Sequence, residues 1–240
     1  MKLHIFHTSD FHGKLNLAKA RFLAELRRAH SPSLYFDTGD LVRSGNLGFS
    51  ATADPGWALL HQADCDASVP GNRESHPISA AFQSKLRGAK HPVLCANVRY
   101  KDGHPFLPAS TAFEVGGVRV AVLGVMVPMV TRSMASSVAS GLLWDAPLPA
   151  AQAQVEILRG ESDLLIALTH IGLTADRELA AAEPRIDLIL GGHTHALLET
   201  PERIGQVPIS HVGSHGRFVR WLVWEPGQGV TSAEVLSLPE

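Results

Sequence analysis

Short apolar runs alternate with amphipathic stretches along the first two-thirds of the chain. Leu3–His7, Leu34–Phe36, Cys65–Val69 and Pro92–Ala96 have strand length, with no room for a helix. Between them, Leu17–Ala29 places Leu17, Ala20, Leu23, Ala24 and Leu26 at helical spacing and predicts an amphipathic helix. A Gly- and Ser-rich loop is expected from Thr38 to Ala53. Pro55-Gly56-Trp57-Ala58-Leu59-Leu60 opens a second helix, with proline in the first turn where its missing N–H is harmless. Ile78–Arg87 predicts a third.

The middle of the chain changes character. Thr111–Val115 and Val118–Val125 flank Gly116-Gly117 and predict a hairpin. Ser133–Pro149 reads as loop, Ala150–Arg159 as helix and Leu164–Leu168 as strand. Asp176–Ala182 is a short helix stopped by Pro184, followed by a strand at Ile186–Leu190. Val207–Val212, Phe218–Trp224 and Val230–Leu236 close the chain as strands. Parallel βαβ units combined with hairpins mean an α/β protein with a mixed sheet or two packed sheets.

Five polar clusters follow the ends of these apolar runs. They are Asp10-Phe11-His12, Gly39-Asp40, Gly71-Asn72-Arg73-Glu74, Thr169-His170 and Gly191-Gly192-His193-Thr194-His195. Functional groups of open α/β sheets gather at the carboxyl ends of strands, so the clusters are expected to converge on one edge. Asp10, His12, Asp40, Asn72, His170, His193 and His195 are then seven oxygen and nitrogen ligands. That donor set suits Mn, Fe or Zn rather than a thiolate-bound structural zinc. Seven are too many for one tetrahedral ion and fit two divalent ions, with Mn2+ the first expectation and Fe or Zn the alternatives. Two such ions can activate a water near neutral pH and clamp a phosphoryl group during in-line attack.

Composition narrows the setting. A chain of 240 residues, 45% hydrophobic, supports a sizeable core, and no linker interrupts it, so residues 1–240 are expected to form a single domain. The formal charge of −2 argues against a nucleic-acid or polybasic membrane surface, while leaving room for a small phosphate ligand. Cys65 and Cys95 lie in or beside apolar runs and read as small buried residues. With no secretory-length apolar stretch before Asp10 and no run of 18 apolar residues, a cytoplasmic location away from membranes is expected.

Taken together, the five clusters resemble the calcineurin-like metallophosphoesterases, and the 5′-nucleotidase branch in particular. His7–Gly13 looks like that branch's opening motif, Pro92–Val98 like its central strand, Val115–Gly124 like its hairpin and Val212–Phe218 like its late loop. The resemblance covers about residues 3–225. It implies a four-layer α/β/β/α sandwich of two mixed sheets flanked by helices. It also implies that Asp10, His12, Asp40 and His195 hold one ion while Asp40, Asn72, His170 and His193 hold the other, with a bridging hydroxide as nucleophile.

Two departures from that pattern stand out. The motif position usually held by His, which acts on the leaving-group oxygen, is Arg73 here, and three residues on stands His76 rather than an acidic partner. An arginine stays protonated near neutral pH, so it can hold a phosphoryl oxygen but cannot donate a proton. His215 and His76 are the candidate replacements. Arg43 and Asn97 are weaker candidates, and Trp221 and Trp224 read as core or edge residues. The branch's base-gripping C-terminal domain is not among the 240 residues. The expected activity is therefore hydrolysis of a small phosphoester, a nucleotide among the options, as a phosphodiesterase or a phosphatase. The alternative is a metal-binding regulatory or partner protein with weak catalysis, which Arg73 keeps open.

Overall fold

A computed structural model describes residues 1–49 and 51–240. The first sheet has the order β13-β12-β1-β2-β3. Its strands are β1 (Leu3–Thr8), β2 (Ser33–Asp37), β3 (Ala67–Ser68), β12 (Phe218–Glu225) and β13 (Gly229–Ser237). The second has the order β10-β11-β9-β8-β6-β5, from β5 (Ser110–Val115), β6 (Val118–Met126), β8 (Leu164–His170), β9 (Leu188–Gly191), β10 (Glu202–Ile204) and β11 (Val207–His211). β1, β2 and β3 are parallel, as are β6, β8, β9 and β11; the outer strands pair antiparallel. A small third sheet pairs β4 (Val98–Tyr100) with β7 (Leu142–Trp144).

Alternation along the strands explains the layering. Leu3 and Ile5 of β1 face Leu164, Ile166 and Leu168 of β8 in the core between the sheets. Phe6 and Tyr35 point the other way, against Ala20 and Leu23 of α1 (Leu17–Ala29) and Trp57 and Leu60 of α2 (Pro55–Gln62). Leu165 and Ala167 pack outward on α4 (Pro147–Leu158) and α5 (Leu173–Ala182) through Val155 and Leu179. Strands buried on both faces need continuous apolar runs, and β8 has one. The result is the expected helix–sheet–sheet–helix arrangement. α3 (Ser79–Leu86) leans on its edge, with Phe82 stacked on Trp144 at 6.3 Å.

The structure differs from the sequence pattern in four places. Pro92–Ala96 is not a strand: Leu94 N donates to Ser68, Cys95 N to Pro108 and Ala96 N to Gly124, so three partners share what a ladder would give to one. Cys65–Val69 contributes only Ala67–Ser68 to a strand. Ser133–Pro149 is not all loop, because Leu142–Trp144 finds β4 across a long sequence separation and α4 begins at Pro147. β4, β7 and β10 are three residues each, too short for periodicity to register. The loop expected over Thr38–Ala53 includes Ser50, which lies outside the described residues. No described helix is long and apolar enough to cross a membrane.

Candidate metal centre

The parallel strands of both sheets deliver the polar clusters to one edge. Asp10 and His12 follow β1, Asp40 follows β2 and Asn72 follows β3; His170 ends β8, while His193 and His195 follow β9. The turns are tight. Asp10, His12, Asp40, His193 and His195 all sit at positive φ, from 50° to 82°, and so does His215 at 62°. Non-glycine residues in this region are strained and gather at functional sites.

Backbone bonds lock the turns together. Asp10 N, His12 N and Gly13 N donate to Gly39 O, Asp40 O and Leu41 O at 2.8–2.9 Å, zipping the β1 and β2 loops. His215 N donates to Asp10 O at 2.7 Å. Glu74, fully buried, accepts from Asp40 N, Val42 N and Gly71 N at 2.8–2.9 Å and ties the β3 loop to the β2 loop. A Cβ at Gly71 would overlap the Asp40 carboxylate, so this approach requires glycine.

The ligand atoms form two groups. Asp10 Oδ1 lies 3.6 Å from His12 Nε2 and 3.4 Å from His195 Nε2, and the two imidazole nitrogens are 2.8 Å apart. Asn72 Oδ1 lies 3.2 Å from His170 Nε2 and 2.9 Å from His193 Nδ1. Asp40 stands between them, with Oδ1 3.7 Å from His170 Nε2 and Oδ2 3.8 Å from His12 Nδ1. Among the described residues, Asp10–His12–His195 and Asp10–Asp40–His170 are the carboxylate and imidazole groupings whose ligand atoms lie within 4.8 Å of one another.

These residues fit divalent cations. Asp10 Oδ1 and His12 Nδ1 are buried without a hydrogen-bond partner, an arrangement that is costly unless an ion satisfies it. Burial pushes the Asp40 carboxyl up to about 7, against the Arg73 backbone N–H that donates to it at 2.7 Å; the Asp10 charge adds to the rise. A cation would restore its charge. Burial, then the Arg73 charge, pushes His12 down to about 4, which leaves its imidazole neutral and its lone pair available. His170 Nδ1 lies 2.6 Å from Thr38 O, a pure acceptor, so the ring proton sits there and Nε2 is bare. His7 Nε2 in turn holds Thr38 Oγ1 at 2.9 Å.

The three candidate catalytic residues have different surroundings. His215 borders the centre, its ring 4.9 Å from that of His12 and 5.5 Å from that of His195, with Nδ1 2.7 Å from Ser214 Oγ. Arg73 donates through Nη1 to Arg43 O at 3.4 Å, and its charge bears on both His12 and His215. His76 is engaged by the backbone: Nδ1 accepts from Ile78 N at 3.0 Å, and its other backbone partner is at Leu47. Asn97 is a structural tie, fully buried and bonded to Met126 and Asp145.

Sequence reasoning passed over Lys85. It sits within a stretch read simply as helix, yet it is 1% exposed, and Nζ donates to Gly45 O, Asn46 O, Arg73 O and Ser75 O at 2.6–3.3 Å. It straps the β2 and β3 loops together. A single lysine in a helical pattern carries no signal that it will be buried.

Residues 3–197 match the family model for the calcineurin-like phosphoesterases. The chain belongs to the calcineurin-like phosphoesterase family. It is 29% identical over 236 residues to the metallophosphoesterase YunD of Bacillus subtilis (strain 168), covering 91% of this chain and 49% of that one. The 5′-nucleotidase of Mus musculus is 26% identical over 229 residues, covering 83% of this chain and 39% of its own length. The chain thus spans about half, or less, of these relatives. The calcineurin-like phosphoesterase YfkN from Bacillus subtilis has the same fold, with a TM-score of 0.79 at 19% identity over 99% of this chain and 90% of that one. Membership in a metal-dependent hydrolase family weighs against the regulatory alternative.

Proposed function

We propose that this chain is a phosphoester hydrolase working with two divalent ions, Mn2+ first among them. The observation that carries this reading is the pair of carboxylates at the middle of the cluster: Asp10 is common to both groupings, and Asp40 has Oδ1 3.7 Å from His170 Nε2 and Oδ2 3.8 Å from His12 Nδ1. Asp10, His12, Asp40 and His195 would hold one ion; Asp40, Asn72, His170 and His193 would hold the other. Bound there, the ions would supply Lewis-acid activation of water and neutralisation of phosphoryl charge.

The chain's own residues do the rest. Thr38 fixes the His170 tautomer, and Glu74 with Gly71 sets the position of Asp40. Arg73 keeps its proton and binds a phosphoryl oxygen at the rim. His215, with Nδ1 engaged by Ser214, is the proposed proton carrier through Nε2 at the leaving oxygen. The 240-residue unit is proposed to act as one catalytic domain on small phosphoesters, with nucleotides among the substrates to test because relatives are named 5′-nucleotidases. A panel of phosphomonoesters and phosphodiesters with Mn, Zn, Mg and Fe tests the activity. Turnover of at least one class is expected, and silence across the panel would overturn it.

A further inference from the structure

Eight large apolar side chains are exposed among the described residues, and five of them fall in segments that meet beside the metal centre: Leu47, Phe49, Ile78, Met134 and Val138. These segments enclose a cavity of about 390 Å3 lined by Leu47, Pro77, Ile78, Met129, Val130 and Ala139, with Ser136 and Ser140. Leu47 is 73% exposed and Ile78 56%. Concentrated apolar exposure of this kind marks a binding surface.

The walls continue the segments that carry the ligands. Asn72 Nδ2 donates to Asn46 Oδ1 at 3.0 Å, and Leu47 is the next residue. Ser75 Oγ donates to Asn72 O at 3.1 Å and lies 3.7 Å from Met129 Sδ. Met129 follows the carboxyl end of β6, where Val127 N donates to His170 O at 2.9 Å. A second cavity, of about 610 Å3, has no such link: it is bordered by Arg27, Arg28, Asp64 and Glu114 and lies beside Ser31–Ser33, at the amino-terminal end of β2.

The lining decides what the nearer cavity can take. No charged side chain contributes to it, and Ser140 Oγ is already bonded to Leu142 and Pro77. Such a wall offers little to read the polar edge of a nucleobase. Its volume suits a ring system or short alkyl group, and the flexible thioether of Met129 adapts to either. Concavity of this size favours part of a small ligand over a flat protein surface.

We propose that this cavity is a leaving-group subsite, so that the preferred substrates are phosphoesters of aromatic or alkyl alcohols rather than of nucleosides. This rests on the phosphoester-hydrolase reading above.

Calorimetry with metal-loaded protein separates the two claims. In wild type, 2-naphthylphosphonate is expected to bind about tenfold or more tightly than methylphosphonate, the scale of burying added apolar groups. That ratio should collapse toward one in Leu47→Asp and Ile78→Asp and persist in Ile157→Asp, an exposed apolar control on α4 outside the patch. The kcat/KM ratio of the matching esters should move in parallel. Equal affinities in wild type, binding of neither phosphonate, or a ratio untouched by both patch variants overturns the subsite. So does a wild-type dimer, seen by sedimentation, that Ile78→Asp splits with the ratio unmoved; the patch would then join two copies. Turnover without naphthyl preference removes the subsite and keeps the hydrolase; naphthyl preference without turnover of any ester removes the hydrolase and with it the leaving-group role, keeping the cavity only as a binding site for apolar phosphonates.

Discussion

Replacing Lys85 with methionine tests how the β3 loop is held. The ammonium is buried against four carbonyls, and burial lowers its pKa while the Glu74 and Asp40 charges oppose that shift. Lys85→Met keeps the aliphatic stem and deletes the donors. The Gly45 and Asn46 carbonyls belong to exposed residues and can recover water. Those of Arg73 and Ser75, at 2.6 and 3.3 Å, lie beneath the loop. Losing two charge-assisted bonds of about 1.5–3 kcal/mol each, less the relief of desolvating an ammonium, leaves a loss of about 3 kcal/mol. Urea unfolding of the metal-free protein measures it, and a Mn2+ titration should show the Asn72 ion weakened by about tenfold. Lys85→Arg should recover less than half, because a planar fork does not converge four acceptors on one nitrogen. A loss under about 1 kcal/mol with unchanged Mn2+ affinity would refute the strap.

Three further outcomes are expected. Elemental analysis should find about two ions per saturated wild-type chain; Asp40→Ala should lose affinity for both, whereas His12→Ala should weaken mainly one. Because His215 is the proposed proton carrier and Arg73 cannot serve as one, kcat/KM should depend only weakly on leaving-group basicity in wild type and steeply in His215→Ala; a steep wild-type slope that His215→Ala leaves unchanged and Arg73→His flattens would remove the acid role from His215. Burial, and then the His61 charge, pushes His91 down to about 4, below an unfolded value near 6.5. The unfolded chain therefore takes up a proton that the folded one refuses, and the His91 contribution to stability should fall by about 3 kcal/mol as pH drops from 6.5 to 4. Denaturation at pH 7 and pH 4 should show a smaller fall in His91→Leu, and identical falls would discard the assignment.

Much of the architecture is legible because burial on two faces leaves a plain trace. The run Leu164–Leu168 can only be a covered strand or a buried helix, and its five-residue length chooses the strand. α1 matches its predicted span because Asn16 caps it, accepting from Lys19 N at 2.9 Å, and helical spacing runs its full length. The gathering of the seven polar side chains at one edge is legible because each follows an apolar run. What sequence hides is set by distant partners. β7 is three apolar residues until β4 pairs with it, and nothing beside His76 announces that its ring will bond the backbone at Leu47 and Ile78. The supporting layer of Thr38, Glu74 and Lys85 is equally silent, since nothing local says which carbonyls a side chain will meet.

The left-handed turns bear on how this centre persists through descent. Asp10, His12, Asp40, His193, His195 and His215 each hold a conformation that glycine adopts freely and that costs an L-residue about 1 kcal/mol. Glycine would relieve that strain at a cost in chain entropy of similar size, so backbone stability alone gives these six side chains little hold on their positions. A descendant released from catalysis should betray itself by glycines at these turns while its strands remain intact.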